Sequence, residues 1–189
     1  VTAPEGSKYD GEEHRNKPTV TDTKTGKTLV EGTDYELSYS KDVINAGTVT
    51  VTVTGKGNYE GSFEVTYEIT KRNVTLTSAD ASKTYDGKAL TNTSITVSGD
   101  GFVEGEGAEY KVTGTQTQVG KSANSFEYKL NENTLASNYD ITKVVGTLTV
   151  TAAPAPETPE KPAKPGKVKT GLQTNTGILM VAGTLALAG

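Results

Sequence analysis

Gly47-Thr48-Val49-Thr50-Val51-Thr52-Val53-Thr54 alternates without a break. Successive side chains of an extended strand point to opposite faces, so the three valines share one face and the threonines the other. The stretch therefore predicts a strand with one dry face and one wet face, and its β-branched residues suit a pleated surface. The same parity turns Tyr35, Leu37 and Tyr39 inward against Glu36 and Ser38, and Phe63, Val65, Tyr67 and Ile69 inward against Glu64, Thr66 and Glu68. Farther along, the inward sets are Val74 with Leu76, Ile95 with Val97, Phe126 with Tyr128 and Leu130, and Leu148 with Val150. No stretch before residue 170 carries a helical stripe of ten or more residues.

Turn chemistry separates these strands. Lys24-Thr-Gly-Lys27, Gly55-Lys-Gly-Asn58 and Gly99-Asp-Gly101 all supply residues that tolerate positive φ. Short strands with turn signals at this spacing predict an all-β chain. The expected architecture is two tandem small β-sandwich domains of immunoglobulin-like type, with a β-grasp-like arrangement as the alternative.

Composition agrees with thin sheets. Only 33% of the 189 residues are apolar, glycine not counted, so little core is available per residue. Aromatic residues make up 6%, there is no tryptophan, and nine tyrosines outnumber three phenylalanines. The net charge of −4 comes from interspersed signs, so there is no basic stripe to neutralise phosphates and nucleic acid is not an expected partner. The absence of cysteine excludes disulfides and thiolate metal sites.

Comparing the chain with itself reveals a repeat. Tyr9-Asp10-Gly11 recurs as Tyr85-Asp86-Gly87, and Asn58-Tyr59 recurs as Asn138-Tyr139. Ala46-Gly47-Thr48 is echoed more loosely by Val119-Gly120-Lys121, and each unit closes on an apolar/threonine alternation. Two related units of about 75 residues follow. Their expected bounds are 1–71 and 72–151, joined tightly because Glu68-Ile-Thr70 runs through Lys71-Arg72 straight into Asn73-Val-Thr-Leu76.

From Ala152 the pattern changes to Ala-Pro-Ala-Pro-Glu-Thr-Pro-Glu-Lys-Pro-Ala-Lys-Pro165. Frequent proline removes donors and fixes φ, so residues 152–169 are expected to be a disordered, extended stalk at about 3.1 Å per residue. Residues 170–189 then begin an apolar run that stops short of the roughly 20 residues a membrane span needs. Val1 follows no basic and apolar leader, so both ends are read as cut.

Residues able to carry chemistry are sparse. The one histidine, His14, sits in the charged run Glu12-Glu-His-Arg15 and is expected to be an exposed loop residue. Asp100, Glu104, Glu106 and Glu109 form an acidic cluster among glycines. Carboxylates on such a loop suit calcium in principle, but their spacing is not that of an EF-hand, and a solvated loop is expected. Glycoside hydrolysis from the same acids needs a cleft holding one carboxyl at a raised pKa, which a small domain poor in apolar residues is not expected to supply. Gly55-Lys-Gly57 has no Gly-Lys-Ser/Thr ending and reads as a hairpin turn. Tyr35, Tyr39 and Tyr128 read as core, while Tyr9 and Tyr85, beside Asp-Gly, read as partly exposed. No catalytic residue, metal ligand or cofactor is expected.

The ordered phrases Tyr-Asp-Gly, Gly32-Thr-Asp-Tyr35, Gly55-Lys-Gly-Asn-Tyr59, Asn138-Tyr-Asp-Ile141 and Gly146-Thr-Leu-Thr-Val150 resemble the YDG and MBG type repeat domains of large bacterial surface proteins. The resemblance covers roughly residues 5–151 and implies tandem extracellular β modules without activity of their own. Residues 167–171, Lys-Val-Lys-Thr-Gly, are similar to a sortase sorting signal in the final three positions only, since Lys167 and Val168 replace its Leu and Pro. That likeness implies cleavage between Thr170 and Gly171 and linkage of Thr170 to a cell-wall amine. Intramolecular Lys–Asn isopeptide bonds occur in some wall-anchored β domains, but no spacing here singles out a triad.

The function expected is a non-enzymatic structural stalk of a Gram-positive cell-surface protein. Its partners would be peptidoglycan through a sortase, and the membrane only through the terminal apolar segment before processing. The competing reading is an adhesin module that binds host glycan, mucin or matrix protein. A third is the anchor of a secreted enzyme lying upstream.

Overall fold

The computed structural model describes residues 1–155. In the amino-terminal half the alternating segments become β1 (Ser7–Lys8), β2 (Tyr35–Tyr39), β3 (Gly47–Gly55) and β4 (Ser62–Thr70). They form one sheet in the order β1-β4-β3-β2. β3 is antiparallel to β2 and β4, and β1 lies parallel to the end of β4. The register sets Val51 between Tyr39 and Val65, and Val53 between Leu37 and Phe63. These cross-strand apolar neighbours are what the alternation prepares, because parity keeps them on one face.

The carboxy-terminal half contributes β5 (Arg72–Ser78), β6 (Ala81–Thr84), β7 (Ile95–Gly99), β8 (Ala108–Val112), β9 (Gly120–Asn124), β10 (Phe126–Leu130), β11 (Tyr139–Val144) and β12 (Gly146–Thr151). Their sheets are β11-β5-β7, β6-β12-β9 and β10-β8. A single 3₁₀ turn, Ala136–Asn138, precedes β11. The described residues are thus all-β, as the periodicity predicts. No helix among them is long and apolar enough to cross a membrane.

The halves share a plan but not its continuity. Gly47 opens β3 and Gly120 opens β9, yet β3 runs unbroken while its counterpart divides at Ser125 into β9 and β10. Likewise β4 is one strand and its counterpart divides at Val145 into β11 and β12. β5 and β6 part at Ala79-Asp80. Buried polar groups stitch these breaks together. The Ser78 hydroxyl donates to the Asn124 carbonyl at 2.6 Å and accepts the Gly146 N–H at 2.9 Å. The Asn124 side-chain amide donates to the carbonyls of Ala79 and Asn92 at 2.8 and 2.9 Å. Such bonds replace the ladder bonds that a bend removes, which is why buried Ser and Asn are tolerated there.

One cluster of buried apolar side chains runs across both halves, from Tyr9, Val43, Val49, Val51, Tyr67 and Ile69 to Val74, Leu76, Phe126 and Tyr139. A second, smaller cluster holds Val20, Leu29, Tyr35 and Val53. Val1–Pro154 pack as one unit.

Parity mispredicts depth at three positions. Phe63, Val97 and Tyr128, all expected inward, are 57%, 39% and 38% exposed. Each lies on a face that is buried elsewhere along the same sheet: Phe63 shares its face with buried Tyr67 and Ile69, Val97 pairs with buried Leu76, and Tyr128 shares its face with buried Phe126. Alternation says which side chains share a face, not how far along it that face is covered. Ala152–Ala155 are exposed and outside any strand beyond Thr151. The rest of the proline-rich stretch and the sorting-type residues Thr170 and Gly171 lie outside the described residues.

Candidate functional site

The repeated Tyr-Asp-Gly phrase builds the same turn twice. In the first copy the Tyr9 N–H donates to the Thr70 carbonyl at 2.9 Å, and an Asp10 carboxylate oxygen accepts the Glu12 N–H at 2.9 Å. In the second the Tyr85 N–H donates to Thr151 at 2.8 Å, and Asp86 accepts the Lys88 N–H at 2.9 Å. Gly11 and Gly87 take φ of 86° and 77°, a region where a Cβ is disfavoured. Aspartate closes the turn and glycine allows it, which accounts for two of the three repeated residues.

The tyrosines differ in environment. Tyr85 is 39% exposed, as the sequence leads one to expect, whereas Tyr9 is 4% exposed and does not match that expectation. Side chains of the carboxy-terminal half cover Tyr9. Its ring stands edge-on to Tyr139, with centroids 5.7 Å apart, and Tyr139 in turn meets Phe102 at 5.0 Å. The Tyr9 hydroxyl donates to one oxygen of Glu106 at 2.5 Å and the Tyr139 hydroxyl donates to the other at 2.7 Å. The Val103 N–H donates to the Tyr139 oxygen at 3.1 Å. Burial first, and the adjacent Glu106 carboxylate as well, push both phenols up to about 12.

A second set of contacts surrounds the short connection between β4 and β5. The Arg72 guanidinium donates to the carbonyls of Gly101 at 2.8 Å and Tyr9 at 3.3 Å, and also to that of Asp100. Lys8 donates to Asp100 at 2.6 Å, and the Asn73 N–H donates to the other Asp100 oxygen at 2.9 Å. The Lys8 hydrogen bond and then the Asn73 N–H hold the Asp100 carboxyl below its ordinary range. On another side, the buried Asn138 side chain accepts the Ala46 N–H and donates to Asn45, both at 2.9 Å.

These contacts correct the reading of the acidic loop. Asp100 and Glu106 are engaged by the amino-terminal half, while Glu104 and Glu109 are exposed. Glu109 lies on β8 directly across from Lys129. Among the described residues no three His, Cys, Asp or Glu side chains gather in a way that could hold a metal ion. His14 is also less exposed than expected. Its ring is 15% exposed and pairs with Asp10 at 2.9 Å.

Beside the joint lies an open cleft of about 590 Å³, lined by Asp10, Glu12, Arg72, Phe102, Glu104 and Glu106. Both oxygens of Glu106 already accept tyrosine hydroxyls, and Arg72 is spent on backbone carbonyls. The chemistry this arrangement performs is cohesion: a carboxylate held between two phenols, with an arginine clamping the chain that connects the halves. The sequence carried one sign of it, the short connection through Lys71-Arg72. The Asp-Gly that follows both Tyr9 and Tyr85 does not separate them, and the partners that bury Tyr9 lie far away in the chain.

In comparisons with known proteins, no family model, curated protein or solved structure matches the chain.

Proposed function

We infer that this chain is a structural stalk from a bacterial surface protein, built of two tandem β repeats of the YDG/MBG type and presenting an upstream region away from the cell. The observation that carries the reading is the joint. Glu106 holds the hydroxyls of Tyr9 and Tyr139, and Arg72 ties the connecting residues to Tyr9 and to the Asp100-Gly101 loop. A joint of this kind suits a rod that transmits load, because bending would expose charged and phenolic groups that have exchanged water for one another. The hydrated threonine faces of the strands suit an extracellular rod that does not aggregate through its surfaces.

Attachment belongs to the same proposal and rests on the sequence of residues 167–171. A sortase thiolate would attack the Thr170 carbonyl, the Thr170–Gly171 bond would break with release of the Gly171 amine, and a cell-wall amine would then displace the enzyme. The stalk works as a non-enzymatic element and needs no cofactor.

The test is a pair of measurements on the purified chain: retention on glycan and mucin arrays, and single-molecule extension. The stalk reading expects no retention and one unfolding event that takes both repeats together. Retention on host glycan or mucin would replace it with the adhesin reading, and two separate low-force events would remove the load-bearing joint.

A further inference from the structure

Superposing the two Tyr-Asp-Gly turns in sequence, Tyr9 on Tyr85, brings Thr2 onto Ser78 and Thr19 onto Ile95. In the carboxy-terminal half Ser78 and Ile95 form the last rung of the antiparallel β5–β7 ladder. In the amino-terminal half Thr2 and Thr19 form an antiparallel bridge, with both N–H groups donating across it at 2.8 and 3.0 Å. It is the same rung. Val1 therefore stands where Thr77 stands, and the counterpart of Arg72–Leu76 is missing from the described residues.

In the carboxy-terminal half those positions fill a slot. β5 runs between β7, antiparallel, and β11, parallel, and its Val74 and Leu76 are 1% and 0% exposed. The matching slot of the amino-terminal half lies between Thr19–Asp22 and Tyr59–Phe63, the latter set by the Asn58-Tyr59 and Asn138-Tyr139 echo. It is an open groove of about 300 Å³, lined by Val20, Leu29, Tyr35, Val53, Tyr59 and Phe63. Phe63 and Val1 at its rim are 57% and 45% exposed, and the cluster at its floor is shallower than the main core. Backbone edges are available too. Among the described residues β4 pairs with β3 along most of its length, but its other edge meets only β1, at Ile69 and Thr70.

We propose that this groove receives one extended strand with the apolar/threonine alternation of β5, antiparallel to Thr19–Asp22 and parallel to β4 where it begins at Ser62–Phe63, beside the bend Tyr59–Gly61 that leads into it. The strand runs into Val1 as Arg72–Leu76 runs into Thr77. The Thr2–Thr19 rung sets its direction and register, and parity then aims every second side chain at Val20, Leu29 and Val53. The occupant is a strand of this kind rather than the carboxy-terminal continuation of a second copy. Beyond Thr151 the chain reads Ala-Ala-Pro-Ala-Pro, which lacks large apolar residues at alternate positions and loses N–H donors at each proline. The inference concerns the amino-terminal groove alone and does not depend on wall attachment.

The experiment extends the full chain by Arg-Asn-Val-Thr-Leu immediately before Val1, so that β5's own sequence enters in register. A control inserts one serine between this extension and Val1, which turns its valine and leucine to the opposite face. Amide hydrogen exchange is followed at Tyr59–Phe63 and Thr19–Asp22, with the oligomeric state measured in parallel. The in-register chain is expected to slow exchange there by about tenfold or more relative to the parent, and the slipped chain to change it little. Equal exchange in the two extended chains overturns the proposal. So does concentration-dependent protection of the unextended chain, which would make a second copy the occupant.

Discussion

Tyr9 and Tyr139 meet edge-on, 88° apart, and share a single carboxylate between their hydroxyls. The two residues come from opposite halves of the chain, and the Glu106 that joins them sits in a glycine-rich loop between β7 and β8. Each hydroxyl accordingly contributes to cohesion between the repeats, and the contribution is measurable one atom at a time.

Tyr9→Phe removes one hydroxyl from Glu106 and leaves the ring in place. Hydrogen bonds to a charged acceptor contribute roughly 1.5–3 kcal/mol, so the unfolding free energy from urea titration is expected to fall by an amount in that range. Tyr85→Phe, at the equivalent but exposed position, is expected to stay within about 0.5 kcal/mol. A cycle combining Tyr9→Phe with Tyr139→Phe is expected to be non-additive, because both bonds end on the same carboxylate.

The raised phenols predict an alkaline limit to stability. Folding holds both Tyr9 and Tyr139 at about 12 against an ordinary 10.0. The fold therefore favours the neutral phenol. Its contribution is complete below pH about 10 and is lost as pH rises through about 12. The chain is expected to keep its urea midpoint up to pH about 10 and to lose stability between there and 12, and the double Phe variant is expected to show a shallower decline. Near-ultraviolet phenolate absorbance alongside circular dichroism reads both.

Gly114 tests the seam where the carboxy-terminal strands break. A Cβ there would sit 2.5 Å from the Asn124 Cα, against backbone that has no room to move. Gly114→Ala is expected to cost about 1–3 kcal/mol by overpacking, read as a drop in melting temperature. Asn124→Ala frees space but leaves the carbonyls of Ala79 and Asn92 without their donor, and is expected to destabilise by a similar amount, about 1–3 kcal/mol.

Leu76 and Phe63 separate parity from burial. Leu76 is 0% exposed, and Leu76→Ala is expected to cost about 2–5 kcal/mol. Phe63 shares the strand alternation but is 57% exposed, and Phe63→Ala is expected to cost less than about 1 kcal/mol in the chain as it stands. A large loss at Phe63 in chemical denaturation would show that its face is covered in solution.

Much of the fold was legible from local pattern. Val49, Val51 and Val53 are 1%, 0% and 5% exposed, and Val74, Leu76, Leu148 and Val150 are buried as their parity predicts. The Asp10 and Asp86 turns could be read because an aspartate before glycine closes on its own backbone, whatever surrounds it. The joint was not legible in the same way. Asp100 and Glu106 looked like solvated loop acids because their partners, Lys8 and Tyr9, lie about a half-chain away and share no local pattern with them.

The sequence by itself determined the strand periodicity, the two Tyr-Asp-Gly turns and the absence of any cysteine chemistry, since each depends on residue type and near neighbours along the chain. Only the tertiary structure decided that Tyr9 is buried while Tyr85 is exposed, that Glu106 bridges two phenols, and that a groove stands open beside Phe63. The physical reason is that alternation assigns side chains to faces without saying which faces meet. That is settled by distant strands packing together, which exchanges solvent for contact at some faces and leaves others wet.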